Sequence, residues 1–161
     1  SSMGNMPIGQ GISVTPMQMM AGYAAIADGG ILRRPQLIER IGDEKLHEPK
    51  GHRVIDADVA QQVREMLEGV LAAGGTASEV SVPGYTLAGK TGTAEVAENG
   101  TYSETKYVAS FIGFAPAQDP KFLAAVIVDQ PQGDIYGGSV AAPAFGQIAA
   151  FSLPYLGVAP E

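Results

Sequence analysis

The chain has 161 residues, which fits one domain or a large piece of one and is long enough to bury a hydrophobic core. It carries 10 Lys and Arg against 17 Asp and Glu, a net charge of −7, with no cluster of cations, so nucleic-acid binding is disfavoured. It contains no cysteine, which excludes disulfides and thiolate metal ligands.

Two helices are predicted in the first half of the chain. The first spans Pro16–Ala27, because Thr15 and Gln18 form a Thr-x-x-Gln capping box and Pro16 suits the first helical position. The second runs from about residue 57 to residue 72, with Asp56 as its N-cap. Its apolar residues recur every three or four positions, which predicts one buried face: Val59, Val63, Leu67, Val70 and Leu71.

The segment between the helices is predicted to hold one strand and one loop. "PQLIERI" (35–41) has the apolar residues of a strand, and the polar stretch 43–53 is typical of a loop. His47 and His52 lie in that loop. A metal could bind such a pair, but a solvated turn is favoured, and we predict neither a metal nor a cofactor.

The second half changes to the period of strands. "YTLAGKTGT" (85–93), "YVASFIGFAP" (107–116) and "KFLAAVIVDQP" (121–131) are predicted strands, the first two joined by an Asn99-Gly100 hairpin turn. Short connections predict an antiparallel three-strand meander, and with the further strand and the helices the fold class is α+β.

A closing helix is predicted after the meander. Ser139 would cap it, Pro143 would fall in its first turn, and Pro154 would follow its end.

Lys90 fits two different motifs. Residues 84–91, "GYTLAGKT", satisfy the phosphate-loop pattern G-x-x-x-x-G-K-[ST]. That site needs an apolar strand before the first glycine and a helix beginning at the lysine. The lead-in is weakly apolar and ends in Pro83, while "TGTAEVAENGTY" after Lys90 favours strand and turn. The context therefore argues against nucleotide binding.

The same lysine fits the K-T-G strand of penicillin-reactive serine enzymes. Alternation along a strand places Lys90 and Gly92 on one face and Thr91 and Thr93 on the other. An edge strand could present all four at one cleft, where Gly92 would let an extended ligand approach closely. The alternative for these four residues alone is a polar edge strand protected by a lysine.

Further segments, in order, carry a wider resemblance. "GQGISVTPMQMMAGYAAIADGG", "VPGYTLAGKTGTAE", "FIGFAPA", "VIVDQP" and "YGGSVAAPAFGQI" closely resemble the C-terminal part of the transpeptidase domain of class B penicillin-binding proteins. The resemblance covers residues 1–161 and is nearer to the division-type members than to the elongation-type. It implies a peptidoglycan D,D-transpeptidase that works through an acyl-serine intermediate and is acylated by β-lactams.

The resemblance also implies roles for the four residues. Lys90 would act electrostatically and as a hydrogen-bond donor among the catalytic groups. The hydroxyls of Thr91 and Thr93 would bind the terminal carboxylate of the donor peptide or of a β-lactam. Gly92 would line the same site, and the backbone N–H of Thr93 would supply half of the oxyanion hole.

The nucleophile of this family is not found where its motif order requires it. S-x-x-K and S-x-N should both precede K-T-G, yet the 161 residues contain no S-x-N. The one S-x-x-K, Ser103 to Lys106, follows K-T-G and falls in a predicted hairpin, where an odd separation sends the two side chains to opposite faces. We therefore expect the serine in an N-terminal portion outside this chain, and this chain alone to be inactive.

Implied partners are peptidoglycan stem peptides, β-lactams, the missing N-terminal portion and cell-division membrane proteins, and the implied location is the extracytoplasmic face of a bacterial membrane. Three alternatives remain: a penicillin-binding sensor, an inactive division scaffold, and a hydrolytic relative such as a carboxypeptidase or β-lactamase; a phosphate-loop nucleotide binder is a remote fourth.

Overall fold

The computed structural model describes residues 12–98 and 100–161, together with Gly4 and Gly9. The helices and strands of this part follow in chain order: α1 (Pro16–Ala27), β1 (Ile31–Leu32), β2 (Arg40–Ile41), β3 (Glu44–Lys45), β4 (His52–Arg53), α2 (Ala57–Glu68), β5 (Ala88–Glu98), β6 (Thr101–Ala115), β7 (Phe122–Asp129), α3 (Gly137–Val140) and α4 (Ala142–Tyr155).

Helix α1 has the predicted boundaries and the predicted cap. The Thr15 hydroxyl accepts a hydrogen bond from the Gln18 backbone N–H at 3.2 Å, and the Gln18 side-chain oxygen accepts one from the Thr15 N–H at 2.8 Å. The two bonds satisfy amides that have no partner inside the helix. The capping-box prediction is therefore confirmed.

Helix α2 is shorter than predicted. It starts at Ala57 as expected but ends at Glu68, with Gly69 as its C-cap, so the predicted last turn over residues 69–72 is wrong. Glycine is a poor helix former, and the apolar residues after it pack in turns rather than on a helix. Asp56 occupies the N-cap position, but its side chain makes no capping hydrogen bond.

The region between α1 and α2 differs most from the prediction. Only Arg40 and Ile41 of the predicted strand over 35–41 are extended and paired, and they form a small hairpin with β3. Leu37 is 94% exposed, so among the described residues no apolar layer covers this segment to stabilise a longer strand. The predicted loop over 43–53 holds β3 and β4, and β4 pairs with β1.

The main sheet is the predicted antiparallel meander, with strand order β5-β6-β7. β5 begins at Ala88, three residues later than predicted, and continues to Glu98. Glu98 pairs with Thr101, which leaves a two-residue turn; Gly100 there has φ 82°, and Asn99 lies outside the described residues. The α+β fold class is confirmed.

The core lies on both faces of this sheet. On one face, Phe111 of β6 packs against Phe145 of α4, with ring centroids 4.9 Å apart. On the other, Phe114 packs beneath Tyr23 of α1 and Leu67 of α2. Both phenylalanines of β6 are fully buried, so β6 cannot slip by one residue without exposing them. The register of β6 in turn determines which β5 side chains lie on each face of the sheet.

The closing helix is divided in two. Ser139 lies inside the short helix α3 and does not cap α4, whose N-cap residue is Ala141; the predicted Ser139 cap is wrong. Pro143 lies in the first turn of α4, as predicted. Pro154 lies within the last turn and not after it, where its missing N–H removes only one bond of the helix.

The segment before β5 is tied to Glu161. The Glu161 carboxylate accepts hydrogen bonds from the Thr86 N–H at 2.7 Å and the Thr86 hydroxyl at 2.6 Å. We expect Glu161→Ala to lower the free energy of unfolding by about 0.5–1 kcal/mol, because these charge-assisted bonds are exposed. Urea denaturation of the complete protein measures this change. An unchanged midpoint would show that the contact contributes nothing to stability.

Candidate active site

The four predicted site residues lie together on the edge strand β5. β6 pairs with one side of β5, and among the described strands none pairs with the other side. Thr91 is opposite Phe111 and Thr93 is opposite Ala109, whereas Lys90 is opposite Ile112 and Gly92 is opposite Ser110. Partners across a ladder share a face, so the predicted separation of the two threonines from Lys90 and Gly92 is confirmed.

The Lys90 side chain reaches around the strand edge toward Thr91. Its ammonium group donates hydrogen bonds to the Thr91 carbonyl oxygen at 3.0 Å and to the Thr91 hydroxyl at 3.1 Å. Within the described part of the chain, Lys90 takes part in none of the ion pairs. Because no carboxylate neutralises it there, this exposed cation is available to an anionic ligand.

Each threonine hydroxyl has a partner from a distant segment. The Thr91 hydroxyl lies 2.9 Å from the hydroxyl of Thr76, in the turn after α2. The Thr93 hydroxyl accepts a hydrogen bond from the Gly137 N–H at 3.1 Å. Neither Thr76 nor Gly137 was assigned to the site from the sequence. "YGGSVAAP" contributes to the family resemblance, but no local pattern pairs it with β5.

Two glycines allow these segments to approach. A Cβ on Gly137 would lie 2.2 Å from the Ser110 carbonyl oxygen and 2.5 Å from that of Gly92. A Cβ on Gly138 would lie 2.0 Å from the Thr76 carbonyl oxygen. Such distances are far inside van der Waals contact. The start of α3 therefore packs directly against the backbone of the K-T-G strand.

Gly92 has a packing role as well. A Cβ there would lie 2.5 Å from the Ser110 hydroxyl oxygen, so this chain's own serine occupies the space on that side. Close approach of a ligand to Gly92 stays a prediction.

Asp134 holds the turn that leads into Gly137. Its carboxylate accepts a hydrogen bond from the Tyr136 N–H at 3.0 Å. That bond is the main cause that lowers the pKa of Asp134 from its ordinary value of 3.8, and a hydrogen bond from the Ser139 side chain lowers it further. The ionised Asp134 therefore stabilises the folded protein above the ordinary pKa, and this contribution is lost as the pH falls through the lowered value. Tyr136 is 64% exposed beside this turn.

The nucleotide-binding interpretation of Lys90 is contradicted by its surroundings. Lys90 lies three residues into the continuous strand Ala88–Glu98, and no helix begins there. A phosphate loop binds through the N-terminal amides of a helix that starts at the lysine. On a strand, successive amides point alternately to opposite edges and do not converge on one phosphate, so the pattern is coincidental.

The Ser103–Lys106 pair is not a nucleophile and base. The Ser103 hydroxyl accepts hydrogen bonds from the backbone N–H groups of Thr105 and Lys106 at 3.3 and 3.1 Å. The Lys106 ammonium instead pairs with Glu98 at 2.5 Å. A nucleophilic serine needs a base within hydrogen-bond reach, and none is present among the described residues. These contacts support the prediction that this motif is not catalytic, which stays a prediction.

Other features of the described part of the chain do not add to the site. Its His, Asp and Glu residues form no group of three that could hold a metal ion. None of its helices is long and apolar enough to cross a membrane.

Residues 1–150 match the family described as "Penicillin binding protein transpeptidase domain". The chain belongs to the penicillin-binding protein transpeptidase family. Its relatives place it in the class B branch. They include stage V sporulation protein D of Bacillus subtilis, 44% identical over 95% of this chain, and the peptidoglycan D,D-transpeptidase FtsI of Escherichia coli, 37% identical over 95%. The chain spans 25% of the length of each of these two relatives.

Solved structures of penicillin-binding proteins share the fold. The transpeptidase domain of penicillin-binding protein 3 from Burkholderia pseudomallei has a TM-score of 0.85 and 39% identity, covering 97% of this chain and 46% of its own. Penicillin-binding protein 3 from Mycobacterium tuberculosis, complexed with ampicillin, has a TM-score of 0.88 and 34% identity, covering all of this chain and 39% of its own. That protein has also been solved with aztreonam.

Proposed function

We propose that this chain supplies the K-T-G strand of a division-type peptidoglycan D,D-transpeptidase, as the C-terminal portion of its transpeptidase domain. The observation that carries the proposal is the arrangement on β5: an ammonium that forms no ion pair with the described residues meets two threonine hydroxyls at the edge of a sheet. Together they form an anion-binding site, which suits the terminal carboxylate of a D-Ala-D-Ala peptide.

In the proposed reaction, the donor peptide lies along β5 as an added strand. Thr91 and Thr93 donate hydrogen bonds to its terminal carboxylate, and Lys90 supplies positive charge beside them. Gly92 contributes backbone to the same surface. The position of the carboxylate then sets the scissile carbonyl close to the Thr93 N–H, which would stabilise the oxyanion.

The nucleophile in this proposal is a serine in a portion of the protein that lies outside these 161 residues. Its oxygen attacks the penultimate D-Ala carbonyl, the C–N bond breaks, and the serine proton ends on the departing D-Ala amine. An amine of a neighbouring stem peptide then attacks the ester, forming the crosslink and returning the proton to the serine. A β-lactam would acylate the same serine.

The proposed partners are therefore stem peptides, β-lactams, the rest of the domain and membrane proteins of cell division. The proposed location is the extracytoplasmic face of the membrane. These assignments rest on the family and on the anion-binding geometry of β5.

Intact mass after exposure to benzylpenicillin, with peptide mapping, tests the proposal. We expect one adduct on the complete protein, at a serine upstream of these residues, and none on this chain alone. Ser103→Ala in the complete protein should acylate at the wild-type rate, because the Ser103 hydroxyl only bonds backbone amides.

An adduct that maps to Ser103, or that disappears in Ser103→Ala, would contradict this assignment. No adduct on the folded complete protein would favour an inactive scaffold. Rapid loss of the adduct with hydrolysed penicillin would favour a carboxypeptidase or β-lactamase, while a slowly lost adduct without crosslinking of stem peptides would favour a sensor.

A further inference from the structure

The Thr91 hydroxyl has two neighbours that limit where its proton can point. A hydroxyl offers one proton and two lone pairs. The Lys90 ammonium, 3.1 Å away, has no lone pair and can only donate to Thr91. The Thr76 hydroxyl, at 2.9 Å, can be either donor or acceptor. The direction of this second bond decides what the Thr91 hydroxyl can offer a ligand.

If Thr91 donates to Thr76, its single proton is used and it cannot donate to a carboxylate. If Thr76 donates to Thr91, both Thr91 lone pairs are occupied and its proton is free for a ligand. Only the second arrangement suits an anion-binding strand, because a carboxylate accepts hydrogen bonds and has none to give. An arriving carboxylate would therefore favour Thr76 as the donor.

Thr93 shows the same arrangement without ambiguity. Its hydroxyl accepts from the Gly137 N–H at 3.1 Å, and a backbone amide can only donate. The Thr93 proton is thus left for a ligand. Two separate segments, one after α2 and one at the start of α3, thus each place a polar group against a threonine hydroxyl of β5.

Thr76 is held in place by its surroundings. The next residue, Ala77, is 2% exposed and donates its N–H to the Val70 carbonyl at 2.9 Å. The Thr76 carbonyl oxygen would lie 2.0 Å from a Cβ on Gly138, so the turn packs against α3 where only glycine fits. The Thr76 hydroxyl is consequently presented to Thr91 by a packed turn.

We propose that Thr76 is a positioning residue for the anion site: its hydroxyl donates to Thr91 and thereby directs the Thr91 proton toward the carboxylate of a donor peptide or β-lactam. This inference rests on the proposed function, since it assigns Thr76 to the carboxylate subsite of that same reaction. Thr76 itself does not touch the ligand.

The test uses Thr76→Val and Thr76→Ser in the complete protein, with Thr105→Val on the β5–β6 hairpin as the matched control. Second-order acylation rate constants are measured for benzylpenicillin and for its methyl ester, which lacks the carboxylate charge. Thr76→Val should slow acylation by benzylpenicillin about three- to tenfold, as expected for one lost hydroxyl hydrogen bond. The ester rate should fall less, because its uncharged carbonyl oxygen is a weaker hydrogen-bond acceptor than a carboxylate.

Thr76→Ser keeps the donor and should retain the wild-type ratio of the two rates, as should Thr105→Val. Equal slowing of both ligands by Thr76→Val would reduce Thr76 to a structural residue and overturn the inference, as would an unchanged benzylpenicillin rate. If the wild-type protein is not acylated at all, the proposed function fails, and the inference fails with it.

Discussion

Lys90→Ala should lower the rate constant for β-lactam acylation of the complete protein by at least about a hundred- to a thousandfold. The Lys90 ammonium is the cation that the described edge strand brings to the two threonine hydroxyls, and it bonds to Thr91 directly. Losing a charge-assisted hydrogen bond costs about 1.5–3 kcal/mol, and losing one donor that stabilises developing charge costs roughly a hundred- to a thousandfold in rate.

The measurement is the acylation rate of the folded variant with a chromogenic or fluorescent β-lactam. Lys106→Ala is the matched control, because Lys106 is also exposed near the hairpin but pairs with Glu98 and not with the site. It should acylate at the wild-type rate. Normal acylation by folded Lys90→Ala would contradict the assignment of Lys90 to the reaction.

Gly137→Ala should have the second-largest effect, a fall in acylation of about a hundredfold. The new Cβ would lie 2.2 Å from the Ser110 carbonyl oxygen and 2.5 Å from the Gly92 carbonyl oxygen, both backbone atoms with little room to move. Either α3 or the K-T-G strand must shift, which also weakens the bond from the Gly137 N–H to Thr93. A displacement of about 1 Å at a catalytic site can cost about a hundredfold in rate.

Acylation rates and melting temperatures of Gly137→Ala and Gly22→Ala should be compared. A Cβ on Gly22, inside α1, meets no atom within 4 Å, so this control should keep full activity. It should also gain roughly 0.5–1 kcal/mol of stability, because alanine is the better helix former. Wild-type acylation by Gly137→Ala would show that the contact between α3 and β5 does not position the site.

Local signals predicted the elements that depend on neighbouring residues. The capping box at Thr15 and Gln18 set the start of α1 correctly, because its partners are three residues apart. Alternating side chains and short turns predicted the meander and the two faces of β5. The same reasoning rejected the phosphate loop at Lys90 and the serine motif at Ser103.

Predictions failed where the local structure depends on contacts with residues that are distant in the sequence. The apolar segment 35–41 was predicted to be a strand, but only a second layer could have stabilised it, and Leu37 is almost fully exposed. The apolar spacing of α2 continues past Gly69, but the helix ends at Glu68. Val70 and Leu71 are partly buried against the core from turns, not from a helix.

The sequence by itself determined the family, through the resemblance of its ordered motifs. It also determined the fold class and the strand that carries Lys90, Thr91, Gly92 and Thr93, through apolar period and turn chemistry. Only the tertiary structure decided which groups surround that strand. Thr76 and Gly137 lie 15 and 44 residues from their partners, and glycine-dependent backbone contacts bring them there. Such contacts leave no periodic pattern, because they depend on how packed segments meet and not on the residues beside them.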